Sequence, residues 1–412
     1  MRDGWVIKSL DEVCTKFGAG PFGSNMKVST FVDTGIPVVS GNHMTELELV
    51  EKSFNYITED HANRMQSSIV QRNDVVITKA GTIGQVSLIP ENSRFLKYIL
   101  SSRQLFVRPD IEKVLPKYLA IYLKYGRGQV QILSNVNRTG VPSLSQAVSF
   151  IKKVQIELPS LPEQKRIVDL ISSVDSYIEA LQQQLESAKR SRNAVLHELL
   201  TAGGDDWLRA RLSEICTMIK RGQAPSYTEQ RSVTVLNQKC VRNGRIQFEF
   251  ARQTDSNTKP INEWAYLRAE DTLVNSTGVG TLGRVAFVGP QDEPLTVDSH
   301  LTIVRPDENK IQPSFLGLSL HFREADIEGL AAGSSGQTEL SREALGNLII
   351  AIPPISEQKR IVEIITSMDR VTNQTQQTIT ESQNLRSGLL SDLLSGEHEI
   401  PVTYDKVMGA TL

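Results

Sequence analysis

A chain of 412 residues, 39% of them hydrophobic, is too long for one ordinary core and predicts two or three domains. No run of about 18 apolar residues occurs, which excludes a membrane-spanning helix, and the opening Met1-Arg2-Asp3-Gly4-Trp5 lacks the basic-then-apolar layout of a signal peptide, so the cytoplasm is the expected location. Cys14, Cys216 and Cys240 form no CxxC pair and their odd number argues against a disulfide framework; the net charge of -2 excludes a general coat for nucleic acid, so any DNA contact must come from local clusters.

In chain order, residues 74–78, 85–89 and 104–108 read as short β-rich runs bounded by Gly or Pro, and 115–125 reads as a helix. After Pro162 there is no Pro or Gly until Gly203. Within that stretch Ile167, Ile171, Val174, Ile178, Leu181, Leu185, Ala188, Arg192, Val195 and Leu199 step by four and three alternately, and all but Arg192 are apolar. This heptad seam predicts a helical rod of roughly 55 Å from its rise per residue. Residues 271–275, 284–288 and 301–305 repeat the strands, and 313–322 repeats the helix. A second seam keeps Ile361, Ile365, Met368, Ile379, Leu389 and Leu393 but places Thr372, Thr375, Ser382 and Arg386 among them. Such a weak helix could pair antiparallel with the strong one, setting the two variable domains at opposite ends; the alternative is that each helix packs on its own domain.

The chain is an internal duplication. LPSLPEQKRIVDLISSVD at 158–175 and IPPISEQKRIVEIITSMD at 352–369 share EQKRIV at an offset of 194. Trp5, Leu10, Glu12 and Cys14 correspond to Trp207, Leu212, Glu214 and Cys216 at offset 202, GTIG at 81–84 to GTLG at 280–283 at offset 199, and Arg108-Pro109 to Arg305-Pro306 at offset 197. Leu144-Ser145 matches Leu340-Ser341. A period near 200 residues marks duplicated domains, not a solenoid. Two similar modules on a rigid spacer suit two half-sites at fixed separation. The expected fold is α+β: two duplicated, strand-rich domains joined and followed by long helices that form an antiparallel coiled coil with pseudo-twofold symmetry.

Most chemical motifs fail on context. GVGTLG at 278–283 satisfies GxGxxG, but a strand-like run follows where a helix N-terminus should meet a pyrophosphate. GAGPFG at 18–23 is followed by polar residues without periodicity, and no GxxxxGK[ST] loop occurs. Asp298, Ser299 and His300, read as consecutive strand residues, alternate faces and cannot converge as a triad. There is no HExxH, no paired Cys/His set and no Asn/Asp-Pro-Pro-Tyr/Phe signature. No catalytic, cofactor or metal site is expected.

Side chains suited to DNA lie in short polar loops: Thr78 and Lys79; Asn137, Arg138 and Thr139; Lys220, Arg221 and Gln223; Asn275, Ser276 and Thr277; and Ser335 with Gln337. Arg reads guanine O6/N7, Gln and Asn read adenine, and Lys and Ser commonly take phosphate. For any one of them the competing reading is a solvated loop residue. The EQKRIV string also reads as a plain helix start, with Glu163 and Glu357 favoured in the first turn, and Lys165, Arg166, Lys359 and Arg360 are read as exposed, facing a partner or solvent.

The Pro-flanked EQKRIV block, the long helix ending Leu199-Leu200-Thr201-Ala202-Gly203, and the near-copy ending Leu393-Leu394-Ser395-Gly396 resemble the Type I restriction-modification specificity subunit over nearly the whole chain. The GTIG and GTLG turns resemble that family's target recognition domains. The resemblance implies target recognition domains at 1–160 and 204–354, a central conserved helical spacer at 161–203, and a distal helical region with a tail at 355–412. It implies a non-catalytic reader of a bipartite, gapped target in double-stranded DNA. Two methyltransferase subunits would dock on the helices, restriction subunits would join the complex, and S-adenosylmethionine, ATP and Mg²⁺ would belong to those partners. Docking at the helix starts falls to Glu163, Lys165, Arg166, Glu357, Lys359 and Arg360. The tail after Glu397 has no assigned place, and a two-domain protein-interaction scaffold without DNA is the competing function.

Overall fold

The computed structural model describes residues 4–137, 140–203, 206–230, 232–331 and 339–405. The chain forms two compact units, residues 1–182 with 377–412, and residues 183–376.

In the first unit, strands Cys14–Ala19, Gln104–Pro109, Val75–Thr78 and Val86–Leu88 form one four-stranded sheet in that order. A second sheet orders Asn55–Ile57, Ile36–Val39, Lys97–Leu100 and Ile69–Gln71, with Val38 and Val39 parallel to Ile99 and Leu100. The apolar runs of its two central strands, Gln104–Pro109 and Val75–Thr78, do not alternate with polar residues, because both faces are buried there. Val75, Ile77, Leu105 and Val107 join the core under helix Pro116–Tyr125, whereas Val76 and Phe106 turn toward Val39, Tyr98 and Leu100 of the second sheet. Pro116 opens its helix at the first turn, where its missing N–H costs nothing.

The second unit repeats this arrangement. Cys216–Arg221, Leu301–Pro306, Thr272–Asn275 and Val285–Phe287 form one sheet, and Tyr227–Thr228, Arg252–Thr254, Val233–Leu236 and Leu295–Val297 the other, with helix Pro313–Phe322 on the first. In each unit a strand near the start of the domain pairs antiparallel with the strand just before a long helix: Val6–Ser9 with Gln155–Leu158, and Leu208–Arg211 with Ile349–Ile352. Each first sheet is crossed by one bidentate ion pair, Arg108 to Asp74 at 2.7 and 2.8 Å and Arg305 to Asp271 at 2.8 and 2.7 Å.

The two long helices are Leu161–Thr201 and Ile355–Ser395. The repeated string that opens them is anchored by its glutamine. Gln164 is fully buried; its Oε1 accepts from Leu115 N–H at 2.8 Å and its Nε2 donates to the carbonyls of Lys113 and Pro159 at 3.1 and 2.9 Å. Gln358 does the same in the other unit, accepting from Gln312 N–H and donating to Pro353 O, both at 2.8 Å. Each glutamine thus ties a long helix to the residue that precedes its unit's Pro-initiated helix.

Antiparallel pairing occurs inside each unit. In the first, Leu390, Leu393 and Leu394 of the distal helix share the core of Ile167 and Ile171, and Arg386 binds Asp175 through Nε and, at 3.1 Å, through Nη2. In the second, Leu199 and Leu200 pack on the core that holds Ile361, and Arg192 binds Asp369 at 3.0 and 3.2 Å. The alternative of each helix packed solely on its own domain is thereby excluded, since the end of the distal helix completes the core of the first unit. Arg192 and Arg386, polar residues of the two seams, are copies of one another at offset 194, as are Asp175 and Asp369. Each arginine takes the aspartate of the other copy, so polarity in the seam specifies register.

Residues past the distal helix also belong to the first unit. Ile400 is buried in its core, Tyr404 packs against it, and Asp405 accepts from Arg166 at 3.2 Å.

Candidate nucleic-acid interface

The polar segments nominated by the sequence come together at one end of the sheets. In the first unit, Val75–Thr78 ends beside Gln104, and Lys79 N–H donates to Arg103 O at 2.8 Å. Ala80 then pairs with Ser143, and Leu144 N–H donates to Lys79 O at 2.9 Å, which brings the paired strands Val136–Asn137 and Ser143–Leu144 to the same end. Gly20, at the end of the edge strand, donates to Gln104 O at 2.9 Å. Its α-hydrogen is required there: a side chain would meet Ser101 O at 1.7 Å.

Thr78 is buried and spends its hydroxyl on Gln85 Oε1 at 3.3 Å. Lys79 is half-buried, and desolvation pushes its ammonium pKa down from the ordinary lysine range. Asn137 is exposed opposite Ser143; Arg138 and Thr139 lie outside the described residues. Between the ends of the two sheets is a cavity of about 430 Å³, lined among others by Asn42, Thr45, Thr82, Gln85, Arg103 and Gln104. Its lining residues include no carboxylate.

The corresponding end of the second unit is built around Lys220, Arg221, Gln223 and the turn from Asn275 to Thr277. Lys220 stands over the Trp264 ring, 3.7 Å from its centre, a contact that orients an ammonium without neutralising it. Arg221 is bound by Glu339 and donates to Leu340 O at 2.7 Å, while burial and Arg342 draw its pKa down. Gln223 bridges Pro260 O at 3.0 Å and Asn262 N–H at 2.9 Å. Asn275 and Ser276 are fully buried; the Asn275 amide holds Gln238 O and Thr281 O, both at 3.0 Å, and Ser276 shares a hydrogen bond with Thr302. Their role is to shape the turn rather than to present a polar surface. Thr277 lies 2.7 Å from His300 Nδ1. Ser335 and Gln337 lie outside the described residues.

Asp298, Ser299 and His300 occupy a turn, not a strand, which corrects the basis on which a triad was dismissed. The dismissal stands on other geometry. Asp298 accepts the His300 backbone N–H at 2.9 Å, while the His300 ring faces Thr277. The GVGTLG segment joins strands Thr272–Asn275 and Val285–Phe287, as expected of a strand-loop-strand turn. Cys14 and Cys216 have thiols pushed up to about 12, chiefly by burial, which disfavours a thiolate.

At the helix starts, Lys165 is exposed and pairs with Asp169 at 2.6 Å, Lys359 is exposed, and Arg360 grips Glu357 at 2.7 and 2.8 Å, holding that carboxyl below its usual range. Glu163 is half-buried. Arg166 departs from the exposed position expected of it: its side chain is buried against Asp405, a partner 239 residues away that local pattern does not reveal. The sequence reading passed over Asn42, Arg103, Gln85 and Gln104. Gln104 carries a legible signal, since it is a polar residue opening the apolar run Leu105-Phe106-Val107.

A family model described as the Type I restriction modification DNA specificity domain matches residues 2–190 and again 204–382. The chain is 23% identical over 352 residues to the Type I restriction enzyme MjaVIII specificity subunit of Methanocaldococcus jannaschii, covering 80% of each. It is 20% identical over 430 residues to the StySPI specificity subunit of Salmonella potsdam, covering 96% of this chain and 90% of that one. Among solved structures, the Type-I restriction-modification S subunit from M. genitalium superposes with a TM-score of 0.55 at 16% identity, over 94% of this chain and 96% of that one. A chain from a type I R-M system solved for complex assembly gives 0.61 at 18%, over 96% and 98%. The chain belongs to the Type I restriction-modification specificity-subunit family, whose function is DNA recognition, and it carries two of that family's DNA specificity domains.

Proposed function

We propose that each half reads one part of a bipartite, gapped duplex target through the loops at its sheet ends, and that the long helices set the gap and dock two methyltransferase subunits. In this reading the recognition domains span 1–160 and 204–354, the spacer 161–203 and the distal region 355–412. The chain itself performs no chemistry. Restriction subunits join through the complex, and S-adenosylmethionine, ATP and Mg²⁺ are held by the partner chains. The DNA-facing residues are Lys79, Asn137, Arg138 and Thr139 in the first half, and Lys220, Arg221, Gln223, Thr277, Ser335 and Gln337 in the second. Thr78, Asn275 and Ser276 shape the turns that carry them. Glu163, Lys165, Lys359, Arg360 and Glu357 are the docking residues, with Arg166 holding the tail.

The observation that carries this reading is convergence. Segments separated by up to about 120 residues in the first unit, around Gly20, Lys79 and the paired strands Val136–Asn137 and Ser143–Leu144, meet at one sheet end with few acids among them. A net charge of -2 confines such a surface to local clusters, and contacts of this kind to base edges carry sequence information that phosphate contacts do not. The test is genome-wide adenine-methylation mapping in cells carrying the chain with its methyltransferase, with and without this chain. A split methylated motif that vanishes on deletion is the expected result; an unchanged methylome, with the complex shown to assemble, refutes it.

A further inference from the structure

The cavity of the first unit is lined by a glycine, Gly41. The turns Gly41–His43 and Gln238–Cys240 are equivalent at offset 197, so Gln238 occupies the position of Gly41. In the second unit the Gln238 amide lies against Thr277 and Gly278, filling that space. In the first unit a side-chain atom on Gly41 would point at Gln85 Oε1, 3.3 Å away, and Gln104 Nε2, 4.0 Å away. Gln104 is itself buried. Gln85 Oε1 is engaged by Thr78 and Gln104 Oε1 by Ser101, so what the two amides have left to offer is chiefly N–H.

The same offset places Arg103 opposite His300. Arg103 lines the cavity from the turn between Lys97–Leu100 and Gln104–Pro109, and it is an exposed residue. His300 is instead engaged by Thr277. A cavity with an arginine at its edge, amide donors within and no carboxylate in its lining matches a ligand edge made of hydrogen-bond acceptors. In the major groove that edge is guanine, whose O6 and N7 accept the arginine fork.

Resting on the DNA-reading function above, we propose that Arg103, at the Gly41 cavity, specifies a guanine in the first half-site, and that Gln238 and His300 make the second half-site differ at the equivalent position. The test is methylation mapping of the complete complex with Arg103→Lys, Gly41→Gln and His300→Ala. Arg103→Lys keeps the charge but removes the fork. It is expected to lower discrimination at one guanine of one half-site roughly tenfold to a hundredfold, leaving the gap and the other half-site intact. Gly41→Gln, which copies the second unit, is expected to abolish reading of the same half-site alone, and His300→Ala to leave that half-site unchanged. Circular dichroism melting of each variant separates lost recognition from lost fold. A wild-type motif that persists unaltered in Arg103→Lys overturns the assignment and leaves the function standing; a gapped motif absent from the wild type overturns both. An unaltered motif in Gly41→Gln refutes the use of the cavity.

Discussion

Replacing the glutamine of the first EQKRIV string measures what that string contributes. Gln164→Leu removes partners from Leu115 N–H and from the carbonyls of Lys113 and Pro159, all within a site from which the side chain's own water is excluded. An unsatisfied buried donor costs about 1–3 kcal/mol, and the carbonyls add to it, so a loss of about 2–4 kcal/mol is expected for the first unit. Gln164→Glu is nearly isosteric and sharper in its consequence. It keeps the acceptor for Leu115 but sets a carboxylate against two carbonyl oxygens, so desolvation and those oxygens raise its folded-state pKa above the ordinary value near about 4.3. A raised acid is harmless below the unfolded-state pKa and increasingly destabilising as pH rises through the folded one. Hence Gln164→Glu should cost about 3–5 kcal/mol at neutral pH and much less near pH 4. Lys165→Ala, one residue along and exposed, should change stability by less than about 0.5–1 kcal/mol. Urea titration followed by hydrogen exchange, with peptides of each unit read separately, gives both numbers. A Gln164→Glu penalty that is independent of pH, or equal to that of Lys165→Ala, refutes the buried-clamp reasoning.

Arg305→Met strands Asp271, whose side chain is 1% exposed, and should destabilise the second unit by about 3–5 kcal/mol; adding Asp271→Leu should recover most of it in a denaturant double-mutant cycle. Arg192→Asp should weaken the helix pairing of the second unit by about 1–2 kcal/mol, discounted because Asp369 is nearly a third exposed. Exchanging the charges with Asp369→Arg should restore it, and a double variant no better than the single one contradicts the register role. Asp298 is held above the ordinary carboxylate range, chiefly by burial, so its folded form loses stability as pH rises from that range. Asp298→Asn should therefore stabilise the chain more at pH 8 than at pH 4 in thermal melts.

What was legible in the sequence was what repeats or what has a period. The heptad steps from Ile167 to Leu199 report a helix because packing against one partner imposes that spacing, and helix Leu161–Thr201 contains them all. The strands around Val75 and Leu105 were legible because both faces of their sheet are buried, leaving the unbroken apolar runs Val75-Val76-Ile77 and Leu105-Phe106-Val107. The second sheet of each unit was not. Its strands are two to four residues long, and one pairing is parallel across about 60 residues of chain, as from Val38 to Ile99. That crossover is also why the Gly41 cavity escaped notice: Asn42, Gln85 and Arg103 become neighbours only when the two sheets stack. Arg166 read as exposed because a helix start displays only its local pattern, and its burial depends on Asp405.

The first compact unit contains both the opening strand Val6–Ser9 and the residues up to Asp405 that pack beyond the distal helix. Traced through space, the polypeptide comes home to the unit from which it departed, so the linear order of its halves depends on where the backbone is interrupted. A circular permutant opened near Ala202 and sealed past Asp405 would preserve every helix partner and every sheet described above. For such a chain, first and second domain are labels of the gene, not of the fold.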